Sequence, residues 1–109
     1  MPRKLPNKQK YKVEADGSGG EKYILQLFVS GILPNSANAI INIKAICEKY
    51  LKGRYELEII DVYKQPGIAL KEKIIAIPVL LKKFPLPEER FIGDLSDVKS
   101  VLQGLRLIK

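Results

Sequence analysis

The 109-residue chain has no histidine, no tryptophan, one cysteine and no long apolar run. Without histidine it lacks the commonest general base and metal ligand that works near neutral pH. A single cysteine, Cys47, forbids both an intramolecular disulfide and a paired-thiol redox centre. No stretch approaches the roughly 18 apolar residues that a membrane span requires. The first twenty residues also lack the apolar core of a secretory signal, so a cytoplasmic location is expected. Gly17-Ser18-Gly19-Gly20 precedes the first predicted strand, where a phosphate-binding loop cannot form. Glu88 and Glu89 are adjacent on a predicted loop and do not make a carboxylate pair for acid-base work. Cys47 falls at the centre of an apolar helix face with no base to activate it, as expected of a small hydrophobe with a raised pKa. These gaps argue against an enzyme, and no cofactor or metal is expected.

Positive charge is in surplus: 19 Lys plus Arg stand against 12 Asp plus Glu, a formal net charge of +7. Part of it is local, because residues 1–20 carry Arg3, Lys4, Lys8, Lys10 and Lys12 against only Glu14 and Asp16 before ending in Gly17-Ser18-Gly19-Gly20. We read 1–20 as a basic flexible leader and 21–109 as one domain, with a stability of about 5–15 kcal/mol. A nucleic-acid binder would interleave aromatics with its cations, yet Tyr11 is the only aromatic in the leader. Nucleic acid is therefore a weak candidate, and any DNA binding is expected to vanish without residues 1–20.

The most informative stretch runs from Lys22 to Ser36. Tyr23 to Val29, interrupted only by Gln26, reads as a strand covered on both faces. Pro34 stops it, and Asn35 or Ser36 can cap a helix to Leu51, with Ala39, Ile40, Ile43, Ile46, Cys47 and Tyr50 on one side. Gly53 is its expected C-cap. Tyr55 to Val62 is a second strand, giving a strand-helix-strand unit with a right-handed parallel crossover. A thioredoxin would carry its paired cysteines at the first strand-helix turn, and this chain has none there.

The second half is less regular. Gln65-Pro66-Gly67 signals a turn before a short helix containing Ile68, Leu70, Ile74 and Ile75. Ile77-Pro78-Val79-Leu80-Leu81 reads as a strand entered through proline, and Pro85-Leu86-Pro87 as a stiff bend before Phe91-Ile92-Gly93-Asp94. A final helix from Ser96 would place Val98, Val101, Leu102, Leu105 and Ile108 on one face. Gly104 costs that helix about 1 kcal/mol relative to alanine, and Leu107 falls on its polar side. Residues 104–108 also alternate as a strand would, so this segment is compatible with either state.

Five segments in register then carry a family resemblance: the Gly31-Ile32-Leu33-Pro34-Asn35-Ser36 turn, Ile60-Asp61-Val62-Tyr63-Lys64-Gln65-Pro66, Ala76-Ile77-Pro78-Val79-Leu80, and Arg90-Phe91-Ile92-Gly93-Asp94-Leu95-Ser96, with the strand that precedes them. Residues 22–109 resemble the KaiB family of circadian clock proteins. The resemblance implies an α/β, thioredoxin-like domain whose N-terminal βαβ half is shared by two folds. The C-terminal half then completes either a ground-state βαββααβ fold or a thioredoxin-like βαβαββα fold. It also implies a non-enzymatic regulator that binds the ring of a KaiC-like ATPase/kinase, with other clock or sensor-kinase components as further partners, and a homo-dimer or homo-tetramer. Leu107, Ile41 and the Leu86 loop offer apolar surface for such an oligomer.

Under the resemblance, Lys64, Lys73, Lys82 and Arg90 match basic positions of the family and are candidate partner-binding surface cations. Each is equally compatible with an ordinary solvated charge. Tyr23, Pro78, Pro85, Pro87, Gly104 and Arg106 are candidates for the conformational equilibrium, with core packing the alternative role for Tyr23. Gly93-Asp94 and Ser96 are expected to form a turn and helix cap. Asn38, Glu58 and Glu89 stand where the family often carries basic residues, and Arg106 where an acidic one is common. A thioredoxin-type redox enzyme is the competing reading of the same fold, and it should reduce disulfides.

Overall fold

The computed structural model describes residues 21–108, so the basic leader lies outside the described residues. Seven elements follow in the order βαβαββα: β1 (Tyr23–Val29), α1 (Pro34–Tyr50), β2 (Tyr55–Asp61), α2 (Pro66–Lys71), β3 (Val79–Phe84), β4 (Glu89–Ile92) and α3 (Val98–Gly104). Of the two arrangements left open by the sequence, the chain adopts the thioredoxin-like one. The strands form a single sheet ordered β2-β1-β3-β4. β1 is parallel to β2, pairing Tyr23 with Tyr55 and Leu27 with Ile59. β3 is antiparallel to β1 and to β4, with Leu80 opposite Leu27 on one side and Phe91 on the other.

Alternation along the strands divides the core in two. Tyr23, Leu25, Leu27 and Val29 of β1 join Leu80 of β3 beneath α1 and α3, whose Ile43, Ile46, Cys47, Val101 and Leu102 close over them. Phe28, Ile60, Val79 and Leu81 face the other way and are covered by Ile68 and Ala69 of α2. A central strand sandwiched like this must be apolar nearly throughout, which is why β1, apart from Gln26, and the start of β3 read as hydrophobic runs.

Several local expectations are corrected. Pro34 begins α1 as its first helical residue instead of stopping the chain, a position where its missing N–H costs nothing. Neither Asn35 nor Ser36 caps that helix; Ser36 is buried and its Oγ accepts from the Ser30 N–H at 2.9 Å. The cap at the other end is Leu51, and Gly53 serves the following turn at φ 81°. α2 starts at Pro66 itself and stops at Lys71, short of Ile74 and Ile75. The final helix is capped by Asp97, whose side chain accepts from the Ser100 N–H, and it ends at Gly104. Residues 105–108 are therefore neither helix nor strand, and the wheel that placed Leu107 on a polar side does not extend that far. Leu107 packs on the core, whereas Val98 and Ile108 are exposed. Ile41 and Leu86 are exposed, as expected of apolar surface.

Candidate partner-binding surface

The β1–α1 turn is closed by side chains that do no redox chemistry. Asp61, at the end of β2, accepts from the Gly31 N–H at 3.3 Å and from the Tyr63 N–H at 2.8 Å. The one thiol is elsewhere, fully buried on α1. Burial, with a smaller push from the Glu48 carboxylate, raises the Cys47 pKa from 9.0 to about 12, so no thiolate is available at neutral pH. Among the described residues no group of His, Cys, Asp or Glu could hold a metal ion, and no helix is long and apolar enough to cross a membrane.

The outer surface around α2 has a different character. α2 ends in a Schellman arrangement: the Lys73 N–H donates to Leu70 O and the Ile74 N–H to Ala69 O, both at 3.0 Å. Lys73 holds the left-handed position at φ 56° that glycine usually fills. Arg90 of β4 lies against this helix end. Its Nη1 donates to Lys73 O at 3.3 Å and its Nη2 to Glu72 O. On the same sheet face Lys83 Nζ pairs with Glu72 at 3.1 Å and Glu88 at 3.3 Å, which raises its pKa through the Glu72 hydrogen bond above all. Around these charges Tyr63, Leu70 and Ile75 are 73%, 81% and 95% exposed, and Leu70 and Ile75 line a shallow groove with Pro66 and Ile74.

The structure thus brings Lys73 and Arg90 together at one end of α2, with Lys64 exposed in the turn at the other. Lys82 does not belong with them. Far from being a surface cation, it is fully buried on the opposite sheet face, because β3 is an interior strand roofed by the C-terminal segment. Sequence reasoning missed the apolar part of this surface. The signal was the pair Ile74-Ile75 just after a helix end, where one side chain turns in and its neighbour must turn out.

The conformational candidates divide as well. Tyr23 is buried, and its hydroxyl donates to Leu105 O at 2.8 Å, joining the first strand to the last turn. Burial is the main reason its pKa is raised. Gly104 lies against the Phe91 ring so closely that a Cβ would run into it. Arg106 takes the left-handed position after α3 at φ 63°, with its Nη2 on Glu89 Oε2 at 3.0 Å. Tyr23, Gly104 and Arg106 therefore converge on one end of α3. Pro78 is buried at the entry to β3, while Pro85 and Pro87 sit in the β3–β4 turn, and all three follow cis peptide bonds. Asp94 accepts from the Ser96 N–H in a turn, its carboxyl held below the usual range by Ser96, and Asn42 donates to Asp94 O.

The fold and its single sequestered thiol define a thioredoxin-fold protein without a redox pair. The chain is similar in fold to the thioredoxin Deadhead of Drosophila melanogaster, with a TM-score of 0.66 and 17% identity over 84% of this chain and 86% of that one. It is likewise similar to the N-terminal domain of Synechococcus elongatus SasA, with a TM-score of 0.64 and 24% identity over 93% and 96%. Residues 26–107 match the KaiB domain, and the chain belongs to the KaiB family. It is 51% identical to the circadian clock oscillator protein KaiB of Prochlorococcus marinus subsp. pastoris over 79% of this chain and 80% of that protein. Against its Synechococcus elongatus counterpart the identity is 50% over 79% and 84%.

Proposed function

We propose that the chain is a non-enzymatic KaiB-type regulator that binds the ring of a KaiC-like ATPase/kinase in this thioredoxin-like form and modulates its phosphorylation or signalling state. Membership of the family is the observation that carries the reading. The α2 surface supports it: exposed Tyr63, Leu70 and Ile75 supply apolar area, and Lys64, Lys73 and Arg90 flank them. Arg90 is fixed by two backbone carbonyls, so little side-chain entropy is lost when a partner meets it. Opposed acidic groups on the ring would set orientation and association rate more than affinity. Residues 21–109 act as the binding domain, and the site of action is cytoplasmic.

The same reading includes an exchange between this packing and a ground-state oligomeric packing of the C-terminal half, with Tyr23 and Gly104 favouring the present one and the left-handed Arg106 limiting its stability. Such an exchange needs two arrangements within a few kcal/mol and a partner that binds one of them. The test is size-exclusion chromatography or pull-down with the host's KaiC-like ATPase, with and without ATP. Lys73→Glu combined with Arg90→Glu is expected to abolish co-elution, whereas Lys99→Glu on the far side should not. Unchanged affinity in the double variant rejects this surface, and failure of the unmodified chain to bind in any nucleotide state rejects the function.

A further inference from the structure

Lys82 presents a fully buried ammonium with no hydrogen-bonding partner among the described residues. Its place in the sheet shows where a partner would come from. Lys82 lies opposite Leu25 of β1 on one side and Glu89 of β4 on the other, and directly opposed side chains on one face have Cβ atoms roughly 5 Å apart. A cross-strand ion pair between Lys82 and Glu89 is therefore within reach. The Glu89 carboxylate instead accepts from Arg106 Nη2 at 3.0 Å. Lys83, the next residue along β3, turns to the other face and has two carboxylates of its own, Glu72 and Glu88.

Arg106 belongs to the turn that roofs this part of the sheet. The Arg106 N–H donates to Gln103 O and the Leu107 N–H to Leu102 O, and the Tyr23 hydroxyl on Leu105 O ties the turn to β1. Leu105 is fully buried, and Leu107 packs on the core. In the ion pair the Arg106 side chain is 63% exposed and that of Glu89 28%, so water reaches the pair from the arginine side while Lys82 lies beneath it. The charges that bear on Lys82 are those of Glu89, Arg106 and Glu21, and the carboxylate beside it in register is already engaged.

We propose that Glu89 is a counter-ion shared by Arg106 and Lys82, and that residues 105–108 form a strap whose opening passes the carboxylate from the first cation to the second. With the strap closed, Glu89 serves an exposed arginine that water could solvate, and the buried lysine goes without. An exposed pair contributes little, whereas a buried charge deprived of its partner is strongly destabilising. Opening the strap hydrates Lys82 and frees Glu89 to meet it, so the strap lifts more readily than the burial of Leu105 and Leu107 alone would allow. The opening is local. It breaks the turn and the bond from Tyr23 to Leu105 O, uncovers one face of β1 and β3, and leaves the four-stranded sheet in place. This motion lies within the present fold and depends neither on the partner of the α2 surface nor on the exchange of packings proposed above.

The test is amide hydrogen exchange at Leu107 on the full chain, with the Phe28 and Ile60 amides as references for the sheet. Lys82→Met is expected to slow Leu107 exchange at least about tenfold, but by less than about threefold on an Arg106→Gln background, where Glu89 is left to Lys82. Arg106→Gln keeps the left-handed backbone and removes the charge. By itself it should leave Leu107 exchanging no faster, whereas the loss of a simple ion-pair tether would speed exchange. Once Glu89→Gln is added, the effect of Lys82→Met should no longer depend on residue 106. An equal effect of Lys82→Met with and without Arg106→Gln overturns the proposal. A dependence on residue 106 that persists undiminished with Glu89→Gln also overturns it, because the two cations would then act by direct repulsion. A Leu107 amide that exchanges only together with the references overturns it as well, since the strap would not open locally.

Discussion

Lys82 occupies a position where its charge has no hydrogen-bonding partner among the described residues, although the residue is fully buried. Glu89 of β4 lies opposite it in register, but that carboxylate is engaged by Arg106. Desolvation therefore dominates and lowers the Lys82 pKa below 10.5; Glu89 and, more weakly, Glu21 oppose the shift, while Arg106 adds to it. The folded chain disfavours the ammonium, so stability rises with pH between the lowered pKa and 10.5 and carries the full cost below that window. Lys82→Met keeps the length and removes the charge. It is expected to stabilise the fold at pH 7 by about 1–2 kcal/mol in urea unfolding, with the gain shrinking as pH approaches 10.5. A loss of stability at pH 7 would show that the ammonium is satisfied. Residue type misled here: a lysine pair after two leucines reads as the polar end of a strand, and nothing local reveals that Lys82 lies under the C-terminal segment. Cys47 was legible because helical period alone put it on the apolar face.

At the scale of elements, α2 and α3 end in the same way without glycine at the left-handed position. After α3 the Arg106 N–H donates to Gln103 O at 3.0 Å and the Leu107 N–H to Leu102 O at 2.9 Å, repeating the pattern at Lys73 and Ile74. A residue with a Cβ is strained in that conformation by roughly 1–2 kcal/mol, while the exposed pair of Arg106 with Glu89 returns less than about 1 kcal/mol. Arg106→Gly is thus expected to raise the stability of this packing by up to about 1 kcal/mol, seen as slower exchange at the Leu105 and Leu107 amides. Faster exchange there would mean that the ion pair outweighs the strain. Sequence reading treated Gly104 as a defect inside a longer helix. It is the last helical residue, and the Phe91 ring explains the absence of a side chain. That reason involves another strand, which no helical wheel contains.

For the molecule as a whole, the question is what holds the C-terminal half against the βαβ unit. The β1–β3 ladder and the apolar contacts of Val101, Leu102 and Leu105 join the two halves, reinforced by side-chain hydrogen bonds from Tyr23 to Leu105 O and from Asn42 to Asp94 O. Tyr23→Phe keeps the ring and leaves a buried carbonyl without its donor, a cost of about 1–3 kcal/mol. Exchange at α3 and β4 amides is expected to speed up about tenfold or more while the β1–β2 ladder is unaffected. A uniform change over the whole sheet would instead mark Tyr23 as ordinary core packing.

Sequence alone determined the βαβ half, because the apolar run of β1, the 3.6-residue period of α1 and the alternation of β2 are long enough for each to fit one type of element. It determined the absence of a redox pair, since no packing can supply a second cysteine. Tertiary structure decided between the two C-terminal arrangements, where short elements satisfy local preferences in more than one way. It also separated Lys82 from Lys73 and Arg90, because which side of a sheet a cation occupies depends on what covers that side.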